Sequence, residues 1–318
     1  MTATPDPITK AACRWLLAGA GPGRYDGPDP APGHDLTSLL SRERGNRDER
    51  LTSSAKWFHL EQTLKPVLKS LDHEVWAIKG FDLARSVYPF PGGRPMSDAD
   101  LLVKPEHLRS VADTFTKMGW QVMDSGDGIM SSGIVSETKA IKNGVMAELH
   151  THIFYFPATF PGRLPEDLTQ NGRPLERNLM GLAWHNALLI VILHMITNTA
   201  IRTVWWADVC LLARKMEEQG TWREFTNSAL KTRLSNPINE VLKTAAALGA
   251  PVPKRTTDLL NEGNTRAEAL LTAIKARRGL PTLQNLRHLQ GWKRISWFHA
   301  MLWLALTRQS PLRGQPKG

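Results

Sequence analysis

The chain is poor in the residues and patterns on which several kinds of protein depend. Its 318 residues include only two cysteines, Cys13 and Cys210, too few and too far apart in sequence for a zinc cluster or a disulfide framework. The longest run of large aliphatic side chains, Leu188–Leu193, is far shorter than the ~20 residues that span a bilayer. The N-terminal residues carry Asp6 and Lys10 and lack the apolar segment of a secretory signal. We therefore expect a protein of the reducing cytoplasm.

Short motifs of several enzyme classes are absent as well. The sequence has no HExxH motif of zinc peptidases, no GxSxG nucleophile elbow and no GxGxxG dinucleotide fingerprint. Hydrophobic residues make up 42% of the chain and charged residues 22%, which is typical of a folded globular protein. The chemistry must therefore lie in a less common pattern.

The charge balance is basic. Forty lysines and arginines face 30 acids, so the formal net charge is +10 and the sequence pI is about 9.8. This surplus favours anionic partners such as nucleotides, nucleic acid or an anionic membrane surface. A solvated basic surface without a polymeric partner is equally compatible with it.

Composition divides the chain into three parts. Residues 1–52 contain a short predicted helix, 8–19, followed by a stretch rich in glycine, proline and charge, 21–50, which we interpret as a loop or linker. Residues 53–160 alternate short apolar strands and helices, which indicates an α/β core. Residues 161–318 show helical periodicity. We expect an α+β fold, in which a small mixed sheet is followed by a helical C-terminal half.

Local signals place the individual elements. In the core, Asn143-Gly144 is a strong hairpin turn signal. The predicted core elements are a helix from Ser53 or Ser54 to Leu71, a strand 74–78, a helix 81–87, a strand 96–103, a helix from Pro105 to Gly119, strands 120–123 and 129–135, and a hairpin 138–142/145–152. The predicted helices of the third part are 179–199, 201–219, 222–233, 236–248, 256–277 and 283–306. The last contains an apolar segment, 297–306, that suits core packing or a membrane surface.

Two aspartates precede the apolar end of one strand. Alternate side chains of a strand share a face, so Asp98 and Asp100 point the same way, about 7 Å apart along the chain. Such close carboxylates repel unless a positive group lies between them. A hard divalent cation fulfils this role well, because magnesium prefers carboxylate and phosphate oxygens. The pair is therefore a candidate metal site.

The surroundings of this pair resemble a known signature. In order along the chain stand Lys79-Gly80, Tyr88, Pro91-Gly92, Arg94, Asp98-Ala99-Asp100 and Glu148-Leu149-His150. This set is similar to the signature of the uncharacterised bacterial nucleotidyltransferase family, a branch of the polymerase-beta superfamily. The resemblance covers residues 75–155 well. His194 and Trp206-Ala207-Asp208 match more loosely.

The resemblance implies a polymerase-beta-type core and a set of site residues. A third carboxylate, Glu148, would join Asp98 and Asp100 in holding two Mg²⁺ (or Mn²⁺) ions. His150, on the same face as Glu148, is expected to orient the site or contact phosphate, with a structural role as the alternative. The chain departs from the superfamily in two ways. It has glutamate where aspartate is usual, and Phe81 follows Gly80 where a Gly-Ser or Gly-Gly pair is usual.

Three further residues are expected to bind the triphosphate. Gly80 allows backbone N–H groups to approach a phosphate where a short helix begins. Lys79 and Arg94 are the natural cations for the β- and γ-phosphates. His194 is expected to be a core histidine, and Asp208 to pair with a neighbouring tryptophan or with Arg202.

The implied reaction moves a nucleoside monophosphate from an NTP, such as ATP, to an acceptor hydroxyl. The acceptor stays open between RNA, a protein side chain and a small molecule, and the basic charge favours an anionic one. Two alternatives remain. One is a degenerate relative that binds nucleotide without turnover. The other is a scaffold protein with a basic C-terminal helix that suits a membrane surface.

Overall fold

A computed structural model describes residues 5–18, 37–40, 47–90, 92–123, 137–153, 164, 168–198 and 202–262. Within these residues the protein is a mixed α/β structure with one seven-stranded sheet. None of the helices in this part is long and apolar enough to cross a membrane. Both cysteines are buried and free.

The sheet is mixed, with the order β3-β4-β5-β2-β1-β7-β6. Its strands are β1 (Val75–Ala77), β2 (Asp98–Leu102), β3 (Gln121–Val122), β4 (Glu137–Lys142), β5 (Val145–His150), β6 (Arg173–Glu176) and β7 (Leu179–Gly181). The pairs β2/β5 and β1/β7 are parallel, and the other neighbouring pairs are antiparallel. Strands β2 and β5 are therefore inner strands with neighbours on both sides.

Helices surround this sheet. They are α1 (Pro7–Leu17), α2 (Thr37–Leu40), α3 (Arg47–Lys69), α4 (Lys79–Ser86), α5 (Leu108–Lys117), α6 (Trp184–Thr197), α7 (Thr203–Gln219), α8 (Trp222–Lys231), α9 (Ser235–Ala247) and α10 (Lys254–Asn261). A turn of 3₁₀ helix, Pro105–His107, precedes α5. From Trp184 onward the described chain is entirely helices and their connections.

The alternation of side chains along β2 separates two hydrophobic cores. Ala99 and Leu101 belong to a core that packs against α3 and α5. Leu102 belongs to a second core, which contains the apolar side chains of α1 and of α6 to α10. Because residues two apart share a face, Asp98 and Asp100 face the side of the sheet that carries the second core. The helices of that side therefore meet the carboxylates.

Most of the predicted elements are present. The helices at the N-terminus and after Pro105, strands β1 to β3, the hairpin around Asn143-Gly144 and helices α7 to α9 lie where the sequence predicts them, with ends shifted by a few residues. The first part of the helix predicted at 256–277 corresponds to α10, Lys254–Asn261, and residues 263–277 lie outside the described residues. The strand 129–135 and the helix 283–306 lie outside the described residues altogether.

Two predictions about elements are wrong. The helix predicted at 179–199 begins only at Trp184, because Leu179–Gly181 pairs with β1 as a parallel strand after a turn in which Asn178 has a φ of 61°. The stretch 21–50 is also not all linker. Leu39 and Leu40 are buried in a short helix, and α3 begins at Arg47 rather than near Ser53.

The division into three domains at residues 52 and 160 stays a prediction. Strands β6 and β7 belong to the sheet although they lie after residue 160, because β7 pairs with β1. The described sheet thus extends past that predicted boundary.

Candidate active site

Strands β2 and β5 bring the predicted acids together. They run parallel, and Asp100 is opposite Glu148 while Leu102 is opposite His150. The neighbours of Glu148 and His150 on their strand, Ala147 and Leu149, belong to the core on the α3 side. Glu148 and His150 therefore share the face of Asp98 and Asp100, as the sequence predicted for each pair.

Asp100 is the most strongly bound of these acids. Its Oδ1 accepts a hydrogen bond from Lys79 Nζ at 2.8 Å and lies 2.8 Å from His150 Nε2. Burial on its own would raise the pKa of Asp100, but the Lys79 ammonium and the His150 imidazole outweigh it and hold the pKa well below its usual range. Asp100 is thus a carboxylate that stays ionised.

Glu148 lies between the Lys139 ammonium and the His150 imidazole. Its Oε1 is 3.1 Å from Lys139 Nζ, and its Oε2 is 3.6 Å from His150 Nε2. On the far side of the imidazole, Glu137 Oε2 is 3.7 Å from His150 Nδ1. Burial and the Lys79 charge lower the pKa of His150, but the hydrogen bond to Asp100 and the nearby Glu148 carboxylate outweigh them and raise it. The imidazole is therefore enclosed by acids.

In the described chain, Asp100, Glu148 and His150 form a close group of potential metal ligands. One ligand atom from each lies within 4.8 Å of the others. Asp98 is not part of this group, although it lines the same cavity. Burial, followed by repulsion from Asp100 and Glu148, raises the pKa of Asp98 to about 6. Asp98 thus ionises less readily than an exposed aspartate.

The acids open onto a cavity of about 150 Å³ between the sheet and two helices. One wall consists of residues from β2, β5 and the start of α4, including Lys79, Gly80, Asp98, Asp100 and Glu148. The opposite wall comes from α6 and α7 and the residue before α7, and is formed by Val191, His194, Arg202, Trp205 and Asp208. The site therefore lies at the junction of the sheet and the later helices.

Arg94 is held by Asp208, a partner that the sequence did not predict. Its Nε donates to Asp208 Oδ1 at 2.9 Å and its Nη2 to Oδ2 at 2.8 Å, and Tyr88 donates to Oδ1 at 2.7 Å. Asp208 is fully buried, and Arg94 is 6% exposed. The partners expected for Asp208 from the sequence, a tryptophan or Arg202, did not include Arg94 or Tyr88. The spacing of 114 residues between the partners explains why no local pattern indicated it.

The beginning of α4 carries Lys79 and Gly80. Lys79 has a φ of 50°, a left-handed conformation that non-glycine residues rarely adopt and that is often found at functional sites. A Cβ atom at Gly80 would overlap the guanidinium of Arg94. Gly80 is therefore required for the close approach of Arg94 to the backbone.

His194 was expected to be a core histidine, yet its ring also lines the cavity. It makes an edge-to-face contact with Trp205, with the ring centroids 4.8 Å apart. Burial lowers the pKa of His194 to about 3, so the imidazole is neutral at physiological pH. The side chain is thus half-buried between the apolar core and the site.

Sequence reasoning missed two residues near the site, Glu137 and Lys139, and it named Asp208 without giving it a place in the site. Glu137 and Lys139 lie on β4, opposite His150 and Glu148 respectively. Once the hairpin around Asn143-Gly144 is predicted, counting back from the turn places Glu137 opposite His150 and Lys139 opposite Glu148. Asp208 had only the loose match of Trp206-Ala207-Asp208 as a signal.

Comparison with known proteins agrees with this geometry. A family model described as an uncharacterised nucleotidyltransferase matches residues 39–250, which is more than half of the chain. Searches of curated proteins and of solved structures found no match. The matched range contains every residue of the cavity described above.

Proposed function

The chain belongs to the family of uncharacterised nucleotidyltransferases, and from this we propose that it is a metal-dependent nucleotidyltransferase. It moves a nucleoside monophosphate from an NTP, such as ATP, to an acceptor hydroxyl and releases pyrophosphate. The sheet with Asp98 and Asp100 on an inner strand is then a polymerase-beta-type core. The acceptor is RNA, a protein side chain or a small molecule, and the net charge of +10 favours an anionic one.

One observation carries the proposal. The carboxylates of Asp98, Asp100 and Glu148 and the cations of Lys79 and Arg94 line a single cavity, together with Asp208 and Arg202. The carboxylates suit hard divalent cations, and the cations suit phosphate oxygens. Reactions of nucleoside triphosphates use both sets of groups around one small volume.

The donor set fits the metal that the family implies. Asp100, Glu148 and His150 have ligand atoms within 4.8 Å of one another, and Asp98 faces the same cavity with a pKa raised to about 6. A cation there would offset the burial of Asp98 and its repulsion from Asp100 and Glu148, which together raise this pKa. We assign Asp98, Asp100 and Glu148 as the ligands of Mg²⁺ or Mn²⁺, and His150 as the residue that orients Asp100. Bound there, the metal supplies charge neutralisation and activation of the acceptor oxygen.

The side chains around the metal position the substrate. Lys79 and Arg94 bind oxygens of the β- and γ-phosphates, and the backbone at Gly80 approaches one of them. The acceptor oxygen bonds to the α-phosphorus as the bond to the pyrophosphate oxygen breaks, and the acceptor proton leaves to water. Most of the catalysis is therefore positioning and electrostatic stabilisation.

Calorimetric titration with each of the four ribonucleoside triphosphates and Mg²⁺ tests this proposal. We expect wild-type protein to bind at least one of them only when Mg²⁺ is present. We expect the double variant Asp98→Asn/Asp100→Asn to lose this binding, because it lacks the carboxylates that hold the metal. Lys142→Met serves as a control, because Lys142 donates to Met118 O away from the site.

Two results would contradict the proposal. Failure of wild-type protein to bind any of the four triphosphates would remove the nucleotide site. Binding that survives in the double variant, shown to be folded by circular dichroism, would remove the metal assignment.

Nucleotide binding without turnover is a second candidate, and one observation favours it. Asp100, the central acid, is already paired with Lys79 and His150. An ionised carboxylate whose charge is already compensated by neighbouring cations binds a metal less readily. Metal-dependent release of pyrophosphate from the bound triphosphate distinguishes the two: release establishes transfer or hydrolysis, and its absence with every acceptor class favours binding alone.

A further inference from the structure

The cluster of Tyr88, Arg94 and Asp208 has no direct place in metal binding. Its three residues nevertheless come from separate segments. Tyr88 lies in the loop after α4, Arg94 lies in the stretch before β2, and Asp208 lies on α7. Burying such a charged pair is costly unless each charge is well paired. Here the guanidinium and the carboxylate share two hydrogen bonds, and Tyr88 supplies a third to the carboxylate. A buried ion pair with such complete hydrogen bonding indicates a specific role for Arg94.

The bonds leave one edge of the guanidinium available. Nε and Nη2 of Arg94 are directed at Asp208. Nη1 has only a long contact, 3.5 Å, to Pro95 O among the described residues, and Arg94 lines the cavity. Nη1 also lies against Gly80, where a Cβ would overlap it. The guanidinium is thus fixed with its remaining N–H edge at the start of α4, beside Lys79.

Charge and protonation support a fixed orientation. Burial and the charge of Asp208 raise the pKa of Tyr88 well above its usual value, so its hydroxyl stays a donor to Asp208. Burial would lower the pKa of Arg94, but Asp208 outweighs it and the pKa is raised. The cluster therefore keeps the same hydrogen bonds over the whole physiological pH range.

We propose that Asp208, supported by Tyr88, is a positioning residue that directs the Nη1 edge of Arg94 to a phosphate of the triphosphate. This rests on the proposed function and assigns to α7 a part in binding the substrate. An arginine held on two nitrogens loses little conformational freedom when it binds an oxyanion with the third. Asp208 acts through Arg94 and does not touch the substrate.

The direction in which Asp208→Asn changes the affinity for an anion distinguishes a positioning role from a purely electrostatic one. Asp208→Asn removes a negative charge near the phosphate site, so electrostatics alone would increase the affinity for an anion. Loss of positioning would decrease the affinity, because Arg94 would have to be ordered when the ligand binds. The probe is inorganic tripolyphosphate with Mg²⁺, since it contains the phosphates and no nucleoside.

We expect Asp208→Asn to weaken binding of Mg²⁺–tripolyphosphate by about 10-fold or more, as for lost hydrogen bonds to a charged group. Tyr88→Phe changes no charge and keeps the ring, so we expect it to fold and to weaken binding by about threefold. The matched control is Asp82→Asn. It breaks another buried pair, in which Arg173 Nη2 donates to Asp82 Oδ2 at 2.5 Å, and we expect it to lower stability and leave tripolyphosphate binding unchanged.

The outcomes are separable. Tripolyphosphate affinity that is unchanged or higher in Asp208→Asn and Tyr88→Phe, with wild-type binding intact, overturns the positioning role and leaves the proposed function standing. Equal loss in Asp82→Asn overturns it too, because the effect would then be general destabilisation. Absence of binding by wild-type protein to both tripolyphosphate and NTP overturns the proposed function itself, and this inference with it.

Discussion

Among the single residues of the site, Lys79 bonds to the very carboxylate that the metal is proposed to use. Its Nζ lies 2.8 Å from Asp100 Oδ1. Burial lowers the pKa of Lys79, but the charge of Asp100 outweighs it and raises the pKa, so the ammonium persists. In the proposed site, Lys79 therefore competes with a bare metal ion for Asp100 and also binds phosphate.

These two roles predict opposite effects of Lys79→Met. The affinity for Mn²⁺ alone should rise about threefold or more, because Asp100 loses its competing cation. The affinity for Mn²⁺–NTP should fall about 10-fold or more, because a charged hydrogen bond to phosphate is lost. Calorimetry with Mn²⁺ and with Mn²⁺–NTP measures both.

Lys142→Met should change neither affinity, because that lysine lies away from the acids. A fall of both affinities in Lys79→Met would show that Lys79 supports the metal site rather than competing for it. A rise of both would remove its role at the phosphates.

Site residues that lie close together in the sequence were predictable, and pairs of residues that are far apart in the sequence were not. Asp98 and Asp100 are two apart on one strand, and Glu148 and His150 likewise, so the period of a strand sets each pair on one face. The partnership of Arg94 with Asp208 joins residues 114 positions apart, and only the folded chain creates it. The pairing of Lys79 with Asp100 is similarly a property of the packed structure.

Among the elements, helix α6 joins the hydrophobic core to the site. Ten of its residues are buried, and a helix that is apolar on all sides belongs in a core. His194 interrupts this apolar surface where the helix passes the cavity. Its imidazole must remain neutral there, since burial lowers its pKa to about 3.

This shift predicts a dependence of stability on pH. The unfolded chain binds a proton at His194 below its usual pKa near 6.5, whereas the folded chain does not bind it until about pH 3. Folding stability from this residue is therefore present above pH 6.5 and is lost as the pH falls toward 3. Relative to His194→Leu, wild-type protein should lose about 1–2 kcal/mol of unfolding free energy between pH 7 and 5.

Urea unfolding of the metal-free protein at several pH values measures this difference. His59→Gln is the control, because it removes an exposed histidine on α3 that does not line the cavity. Parallel pH profiles for wild-type protein and His194→Leu would show that His194 titrates normally in the folded chain.

Elements with a strong local signal were predicted well, and those that depend on distant partners were not. The hairpin β4–β5 follows from Asn143-Gly144, whose two residues both have positive φ, as a tight hairpin turn requires. Strands β6 and β7 are only four and three residues long. Strand β7 forms by pairing with β1, which lies about 100 residues earlier in the sequence. No pattern within β7 itself indicates this pairing.

At the scale of the whole molecule, the net charge of +10 acts on any anionic substrate before it reaches the site. Such a charge accelerates the encounter with a triphosphate, and dissolved salt screens it. Raising NaCl from about 20 to about 200 mM should therefore lower the association rate of Mg²⁺–NTP several-fold. The dissociation rate should change less.

Stopped-flow fluorescence measures both rates, with the tryptophans as the probe. An uncharged nucleoside, tested in the same way, should show no salt dependence. Association of Mg²⁺–NTP that is independent of salt would mean that the basic residues lie where they do not influence the cavity.

The overall fold class follows from the order of elements along the chain, and the extent of the sheet does not. Alternating short strands and helices, followed by long helical segments, predict a mixed α/β protein, which the structure has. The sheet nevertheless continues past residue 160 through β7 and β6. Which strand joins which edge is decided by packing of the whole chain.

The position of β2 and β5 inside the sheet has a consequence for local unfolding. Strands at the edges, β3 and β6, can open without disturbing the backbone hydrogen bonds of the inner pair. Asp98, Asp100, Glu148 and His150 all stand on that inner pair. Fraying of the periphery therefore leaves the spacing of these side chains intact, and only cooperative unfolding of the sheet would separate them.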